Sequence, residues 1–373
     1  MLTGLTINAS EPSPFVFSYS LFAWEIPHKM DALVSPPDSP VNSQTFAGSV
    51  ILLDGFLATF ETYLVGRANY FDPVVRDLAV QALASGGKRI RPALVHACGA
   101  GNLADSENLI KASSIVEFVH IATLVHDDVL DDASIRRDRQ TVYADRGATA
   151  AILLGDALFA HALEMASEFQ GNEVCRWVAA ATRRTCSGEI QQSFLRGDFT
   201  LTSSRYKQII EAKTAELFTV SCRLGAHVAG LDDATSALAC EFGRRLGLAY
   251  QIYDDLVDVF GREADFGKSL GRDLAHGKVT LPTITLFSKL SKVEASRLRE
   301  NLFNSGSEPS PEIIHEMVNL MRKHGVHNEC RELLDEELSA IGYTLSEFTD
   351  DTIARRLDDL RQVIVDRVAL LLS

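Results

Sequence analysis

The sequence has few cysteines, and they are scattered. The six cysteines among 373 residues form no Cys-x-x-Cys pair. Zinc sites and disulfide frameworks depend on close, patterned cysteines, so neither is expected here. Cysteines without such a pattern are typical of proteins from a reducing compartment, and we therefore predict a cytoplasmic location.

Long apolar runs and an excess of positive charge are also missing. No uninterrupted apolar run reaches the ~20 residues of a membrane-spanning helix, so we expect no transmembrane segment. Lys and Arg number 36 against 50 Asp and Glu, which gives a formal net charge of −14. Such a surface repels nucleic acids and anionic membranes. We therefore expect no nucleic-acid partner, and any bound polyanion must depend on a local basic cluster or on metal ions.

Proline is concentrated at the start of the chain and scarce elsewhere. Residues 1–46 hold six of the 11 prolines, with one Lys and no Arg. This stretch has neither the basic start and apolar core of a secretory signal nor the arginines of an organellar presequence. We interpret residues 1–46 as a poorly ordered N-terminal extension, with a start at Met30 as the alternative. Residues 47–373 then form one large domain.

The sequence pattern beyond this extension is helical almost throughout. Hydrophobic residues make up 46% and charged residues 23% of the chain, enough apolar surface for one large core. Apolar residues recur at spacings of three and four, and convincing period-two strands are absent. Pro73 and Pro311 stand where helices begin. Segments 111–131 and 236–260 are apolar nearly all round, as in helices buried inside a bundle. We predict an all-α fold, a single large helical bundle.

Two acidic clusters with matched spacing interrupt these apolar helices. The clusters consist of Asp127, Asp128 and Asp131, and of Asp254, Asp255 and Asp258. Acids four residues apart lie one turn apart on the same helix face. Buried carboxylates repel one another and are costly to desolvate, so a cation must accompany them. Oxygen ligands without His or Cys suit Mg²⁺, which bridges carboxylates to substrate phosphates. A solvated acidic face is the alternative, and the matched second copy counts against it.

Basic residues occur where an anion beside these acids would need them. The glycine-led segment 86–92, GGKRIRP, runs into an apolar helix. The start of such a helix offers backbone N–H groups and cations to a phosphate. Arg136 and Arg137 follow the first cluster, and further candidates are Lys213, Thr214, Lys268 and Lys278. Each alone is more simply a surface residue, but the set matches the acids.

Six motifs then give the chain a resemblance to a known family. They are, in order, GGKRIRP, HDDVLDDASIRR, GEIQQ, KTAELF, YQIYDDLVD and GKSLGRDLAHGKVTLP. Residues 47–373 resemble the trans-isoprenyl diphosphate synthases, and within them the long-chain polyprenyl diphosphate synthase branch. The resemblance implies a helical bundle of the isoprenoid synthase type around a deep central cavity, with the two aspartate helices facing each other at its mouth. It also implies a homodimeric prenyltransferase that uses two or three Mg²⁺ ions.

The resemblance further implies substrates and residue roles. The enzyme would condense isopentenyl diphosphate head-to-tail with an allylic diphosphate, and its product would suit membrane enzymes that use quinone side chains. Isopentenyl diphosphate would be held by Lys88, Arg91, His120 and Arg137. Mg²⁺ would be held by Asp127, Asp131 and Asp254, with Asp258 sharing ligation and Asp128 and Asp255 in support. The allylic diphosphate would be surrounded by Arg136, Lys213, Thr214, Gln251, Lys268 and Lys278. The six aspartates and Lys213 would be the catalytic residues. Departures from the family pattern are Asp132, where Glu is usual, and the extra negative charge of Asp138.

The family resemblance also connects product length to the helix before the first cluster, where a bulky residue stops the growing chain. The relevant residues are Val116, Phe118, Val119, Ala122 and Thr123. All of them except Phe118 are small or medium-sized. Val116, Val119 and Ala122 form one contiguous stripe on a helix. Phe118, about 40° from Ala122, is the one residue of this segment that could intrude. We predict a long product, with a farnesyl or geranylgeranyl product as the alternative.

Other classes of protein fit these residues less well. A class I terpene cyclase needs no second diphosphate site, and its second metal motif usually carries Asn and Ser or Thr. A non-catalytic subunit of a heteromeric synthase would be expected to have lost acids, and all six are present. Whether the enzyme needs a partner subunit for activity stays open. Glu189 and Gln192 of GEIQQ are interpreted either as support for metal-bound waters or as a buried polar contact.

Overall fold

The structure is a computed structural model, and it describes residues 43–84, 87–100, 106–137, 139–261, 271–303 and 310–370. The first helix begins at Ser43, shortly before the boundary predicted at residue 47. Most of the predicted extension, together with Asp138 and Lys268, lies outside the described residues.

Helices make up most of the described residues, which confirms the predicted all-α fold. They are α1 (Ser43–Arg67), α2 (Pro73–Leu83), α3 (Ile90–Gly99), α4 (Ser106–Leu130), α5 (Val142–Ser167), α6 (Glu173–Phe194), α7 (Ser203–Ile210), α8 (Glu216–Val228), α9 (Asp233–Phe260), α10 (Arg272–Ala275), α11 (Leu281–Lys289), α12 (Lys292–Phe303), α13 (Pro311–Lys323), α14 (Val326–Ser346) and α15 (Asp351–Leu370). A 3₁₀ turn spans Ala68–Tyr70 and a π-helical turn spans Glu211–Ala215. Helices α2 and α13 begin with Pro73 and Pro311, as predicted.

A short hairpin follows the first acidic cluster. Strands β1 (Ile135–Arg136) and β2 (Arg139–Gln140) pair antiparallel, with Ile135 opposite Gln140. Strands of two residues are too short to produce a period-two pattern, which is why the sequence did not indicate them.

The two aspartate helices are the centres of two hydrophobic clusters. Helix α4 packs against α5, α3 and α8, and α9 packs against α8 and α14. Helix α8 contacts both aspartate helices and therefore lies between them. Most apolar residues of α4 and α9 are buried, as their all-round apolar pattern predicted.

Two helices are long and apolar enough to cross a membrane by length and composition alone, α4 and α5. Of the most apolar stretch, 67% is buried in α4 and 39% in α5. Since core helices of soluble proteins pass the same test, this is weak evidence for a membrane span.

Candidate active site

The first acidic cluster lies at the carboxyl end of α4. Asp127 and Asp128 are in its last turn, and Asp131 follows directly after it. This end of a helix carries the negative pole of the helix dipole, which disfavours ionised carboxylates. The surrounding cations must therefore compensate the acids.

Asp128 and Asp131 are paired with cations from three other segments. Arg136 of β1 donates from Nε to Asp128 Oδ1 at 2.7 Å. Lys278 Nζ donates to Asp131 Oδ2 at 2.8 Å, and Arg196 Nη2 donates to Asp131 Oδ1 at 3.2 Å. Burial raises the pKa of Asp128 despite the Arg136 charge. Burial would also raise the pKa of Asp131, but the Lys278 charge outweighs it and the pKa is lowered.

Asp127 lies beside Lys213. Burial raises the pKa of Asp127 to about 6, although the Lys213 charge opposes this. Lys213 Nζ lies 2.6 Å from Glu189 Oε2 and donates to Gln192 Oε1 at 2.7 Å. The acid and amide of GEIQQ thus hold the ammonium group next to the first cluster.

Lys213 projects from the π-helical turn 211–215, between α7 and α8. Such turns are rare and are frequent at functional sites. Two glycines let neighbouring helices approach this turn closely. A methyl group at Gly188 of α6 would lie 2.5 Å from the Lys213 backbone nitrogen. One at Gly247 of α9 would lie 2.5 Å from Ala215 Cα.

The second acidic cluster lies near the carboxyl end of α9, where Asp255 is almost fully buried. Asp255 accepts hydrogen bonds from Tyr206 Oη at 2.5 Å and Gln251 Nε2 at 2.8 Å. Gln251 Oε1 accepts from Thr214 Oγ1 at 2.7 Å. Burial, together with the charge of Asp273, raises the pKa of Asp255 to about 8. Asp255 thus connects two residues predicted for the allylic site.

Asp258 fixes the segment that carries Lys278. Its Oδ2 accepts from the Asp273 N–H at 3.1 Å, and its carbonyl accepts from the Gly271 N–H at 2.7 Å. The Lys278 N–H in turn donates to the Asp273 carbonyl at 2.8 Å. Since Lys278 Nζ contacts Asp131, this segment connects the two acidic clusters. The remaining acid, at position 254, is half-buried on α9.

The residues predicted for isopentenyl diphosphate form a second cationic group around Tyr250 of α9. Lys88 Nζ lies 5.5 Å from the centre of the Tyr250 ring. Burial lowers the pKa of Arg91, and the charge of Arg137 lowers it further. Burial holds the pKa of His120 well below its usual range, and these two arginines add to the effect. A neutral His120 near two arginines is an arrangement suited to an anion.

Arg89 of GGKRIRP turns into the protein, where acids pair with it. Its φ of 47° is left-handed, and its guanidinium is buried. It pairs with Glu61 Oε1 and Glu117 Oε1, each at 2.5 Å. Gly87 lies against Arg137, because a methyl group there would be 2.7 Å from Arg137 Nη1. Internal ion pairing and close packing therefore position the cationic loop.

The residues predicted to set product length lie inside the bundle. Four of them are at most 1% exposed: Val116, Phe118, Val119 and Ala122. Phe118 packs edge-to-face on His161 of α5, with ring centres 5.1 Å apart. Thr123 is half-buried, and its hydroxyl donates to the His120 carbonyl at 2.7 Å.

Comparison with known proteins identifies the chain. Residues 72–321 match the family model described as Polyprenyl synthetase. The chain belongs to the polyprenyl synthetase family. An octaprenyl diphosphate synthase of Haemophilus influenzae is 31% identical over 82% of this chain and 92% of its own length. A geranylgeranyl diphosphate synthase of Mycobacterium tuberculosis is 35% identical over 69% of this chain and 75% of its own.

A solved structure of a polyprenyl synthase agrees in fold and sequence. The enzyme from Caulobacter crescentus, complexed with calcium and isoprenyl diphosphate, superposes with a TM-score of 0.77 at 30% identity. The match covers 86% of this chain and 98% of that chain. As a member of the polyprenyl synthetase family, the protein is a prenyltransferase.

The acids of this polyprenyl synthetase offer the type of donor atom that a magnesium ion prefers. Within the described ranges, no three Asp, Glu, His or Cys side chains are gathered closely enough to bind a metal ion as they stand. Asp128, Asp131 and Asp255 accept hydrogen bonds from other side chains. Carboxylate oxygens without sulfur or imidazole are nevertheless the donors that Mg²⁺ prefers. By the chemistry of their oxygen donors, the acids of the two clusters fit Mg²⁺.

Several residues of the site carry no sequence signal for it. Arg196 and Tyr206 lie outside every motif of the polyprenyl synthetase resemblance, yet each contacts an aspartate of the clusters. Glu117 could have been noticed as a lone acid in an apolar helix. Lys268, predicted for the allylic site, lies outside the described residues.

Proposed function

We propose that this prenyltransferase condenses isopentenyl diphosphate, head to tail, with an allylic diphosphate and makes a long-chain trans-polyprenyl diphosphate. The observation that carries the proposal is the presence of basic residues around Tyr250 in addition to those beside the acids. Those around Tyr250 include Arg91 and Arg137, and those beside the acids include Lys213 and Lys278. Two diphosphates need two cationic sites, whereas a terpene cyclase needs one.

The acids of both clusters would hold the metal ions. Asp127, Asp131 and Asp254, with Asp258 sharing, would hold two or three Mg²⁺ ions, which supply positive charge to the departing diphosphate when bound. Lys213, Arg136 and Lys278 would bind the allylic diphosphate and stabilise the charge that develops as its C–O bond breaks.

The second cationic group would position the other substrate. Lys88, Arg91, Arg137 and neutral His120 would hold isopentenyl diphosphate with its double bond toward the allylic carbon. Apolar walls around the reacting carbons would exclude water and so prevent capture of the allylic cation. Loss of a proton, with the departing diphosphate as base, would complete the addition of one isoprene unit.

Gly188→Ala is expected to raise the KM for the allylic diphosphate by about tenfold, the equivalent of one lost charge-assisted hydrogen bond. The added methyl group, 2.5 Å from the Lys213 nitrogen, must displace the π-helical turn. The matched control is Gly342→Ala on α14, where nothing lies within 4 Å of the methyl position. Steady-state kinetics with the allylic substrate varied measures the effect. Equal KM values in the two variants would contradict it.

The proposal of a long product depends on the interior face of α4. Small or medium residues occupy positions 116, 119 and 122, and the Phe118 ring is packed on His161. Octaprenyl synthase similarity supports the long product, and geranylgeranyl synthase similarity supports the alternative. Incubation with farnesyl and isopentenyl diphosphates, followed by chromatography of the dephosphorylated products, tests the function and the product length together. Products that stop at geranylgeranyl would exclude the long-chain proposal.

Ala122→Phe is expected to shorten the product, because an aromatic ring five residues before Asp127 would block the growing chain. Ala122 is fully buried, so overpacking of roughly 1–3 kcal/mol must be monitored by thermal melting. Val119→Phe, one turn further from the acids, should give a product of intermediate length. Ala179→Phe, at an exposed position of α6, is the control and should leave the product unchanged. The same product from all variants would refute a role for this wall.

We also propose a homodimer located in the cytoplasm, with residues 47–373 as the catalytic domain. Light scattering after size-exclusion chromatography measures the assembly. A pure protein that binds both substrates but does not turn them over would instead indicate a missing partner subunit.

A further inference from the structure

Arg196 lies outside the sequence motifs and contacts the first acidic cluster. Its Nη2 lies 3.2 Å from Asp131 Oδ1, while Lys278 Nζ lies 2.8 Å from Asp131 Oδ2. Both oxygens of this proposed Mg²⁺ ligand are therefore held by cations. A metal ion bound to this carboxylate would compete with both cations for its oxygens.

The backbone that carries Arg196 is fixed beside the proposed diphosphate site. The Gly197 N–H donates to the Gly277 carbonyl at 2.9 Å, and Gly277 directly precedes Lys278. The two cations thus come from segments that are hydrogen-bonded to each other.

The guanidinium of Arg196 has unused donor capacity. Its Nε is buried and, in the part of the chain that the structure describes, has no hydrogen-bond partner. A buried donor without a partner is unfavourable, so a ligand that supplies an acceptor is favoured. The planar edge formed by Nε and Nη2 matches two oxygens of a phosphate, whereas Asp131 engages Nη2 alone.

We propose that Arg196 is a further diphosphate-binding residue of the allylic site. In the ligand-free protein it holds Asp131; when the allylic diphosphate binds, its Nε–Nη2 edge contacts two phosphate oxygens and releases the carboxylate. This inference rests on the proposed function, since it assumes a diphosphate between the acidic clusters. Arg196 then has two successive partners, both negatively charged.

The test is direct binding of farnesyl diphosphate in the presence of Mg²⁺, measured by calorimetry without isopentenyl diphosphate so that no turnover occurs. Arg196→Gln should raise the Kd by about ten- to a hundredfold, as expected for loss of a charged bidentate contact. Arg196→Lys keeps the charge but loses the planar edge, and should restore part of the affinity. Arg176→Gln, an exposed arginine of α6, is the matched control and should bind like the wild type.

Steady-state kinetics adds a second readout. Arg196→Gln should raise the KM for the allylic substrate and leave the KM for isopentenyl diphosphate unchanged. Wild-type affinity of Arg196→Gln for farnesyl diphosphate would overturn the inference. The inference would also be overturned if Arg196→Gln needed less Mg²⁺ and kept its affinity for farnesyl diphosphate, since Arg196 would then only neutralise Asp131. A wild-type protein that binds no farnesyl diphosphate would instead overturn the proposed function itself.

Discussion

Asp127→Asn is expected to reduce turnover by a factor on the order of 10³. A loss of this size is expected when an enzyme loses one preorganised group that stabilises charge in the transition state. Asp127 lies where the first cluster meets Lys213, and burial raises its pKa to about 6. It is therefore an ionisable acid that changes charge close to neutral pH, held beside a cation. The isosteric amide removes the charge while keeping the shape. Turnover is measured with labelled isopentenyl diphosphate at saturating Mg²⁺.

The substitution should leave the fold intact. Burial, with repulsion from Glu189 and Asp131, disfavours the charge on Asp127 by more than the Lys213 charge favours it, so a neutral replacement should not destabilise the metal-free protein. The melting temperature without metal should consequently stay the same or rise. Asp132→Asn is the matched control, because Asp132 is exposed one residue beyond the cluster and accepts a hydrogen bond from Tyr143. Near-normal turnover of Asp127→Asn would show that the two-cluster mechanism is wrong.

The helices and the acidic clusters could be predicted because they depend on local pattern. The i, i+4 spacing of Asp127 and Asp131 and the all-round apolar character of α4 both follow from the geometry of one helix. The structure places this cluster at the carboxyl end of α4, where the helix dipole opposes it. Acids at a helix end where the dipole disfavours them indicate a function more strongly than their spacing alone does.

The π-helical turn could not be predicted from local sequence. KTAELF consists mostly of good helix formers, and nothing in it indicates an extra residue in the turn. The wider turn is packed between Gly188 on α6 and Gly247 on α9, which are distant in sequence. Its position is thus set by tertiary packing, and this turn is what presents Lys213 to the acids.

The different roles of neighbouring basic residues in GGKRIRP could not be predicted from the sequence either. Lys88 lies beside Tyr250, whereas Arg89, the next residue, turns inward to Glu61 and Glu117. Both are basic residues at the start of the same helix, so composition does not distinguish them. The distinction comes from the left-handed backbone at Arg89 and from acids contributed by α1 and α4.

Glu117→Gln is expected to destabilise the protein by about 1.5–3 kcal/mol, because Arg89 loses a buried charge-assisted contact and keeps only one ion pair, that with Glu61. Glu117 is 3% exposed, and its Oε1 accepts from Arg89 Nη1 at 2.5 Å. Burial alone would lower the pKa of Arg89, but Glu117 and Glu61 raise it above its ordinary value. Urea unfolding in the absence of ligands measures the loss.

The same substitution should make stability depend more strongly on the substrate. Glu117 also opposes the lowering of the pKa of Arg91 and Arg137, which burial and neighbouring cations cause. Without this carboxylate, isopentenyl diphosphate would supply the nearest negative charge to these arginines. We therefore expect isopentenyl diphosphate to raise the melting temperature of Glu117→Gln by more than that of the wild type. Glu107→Gln, an exposed acid in the first turn of the same helix, is the control and should match the wild type with and without substrate. An equal ligand-induced shift in Glu117→Gln and wild type would mean that Glu117 serves the Arg89 pair alone and does not balance the substrate site.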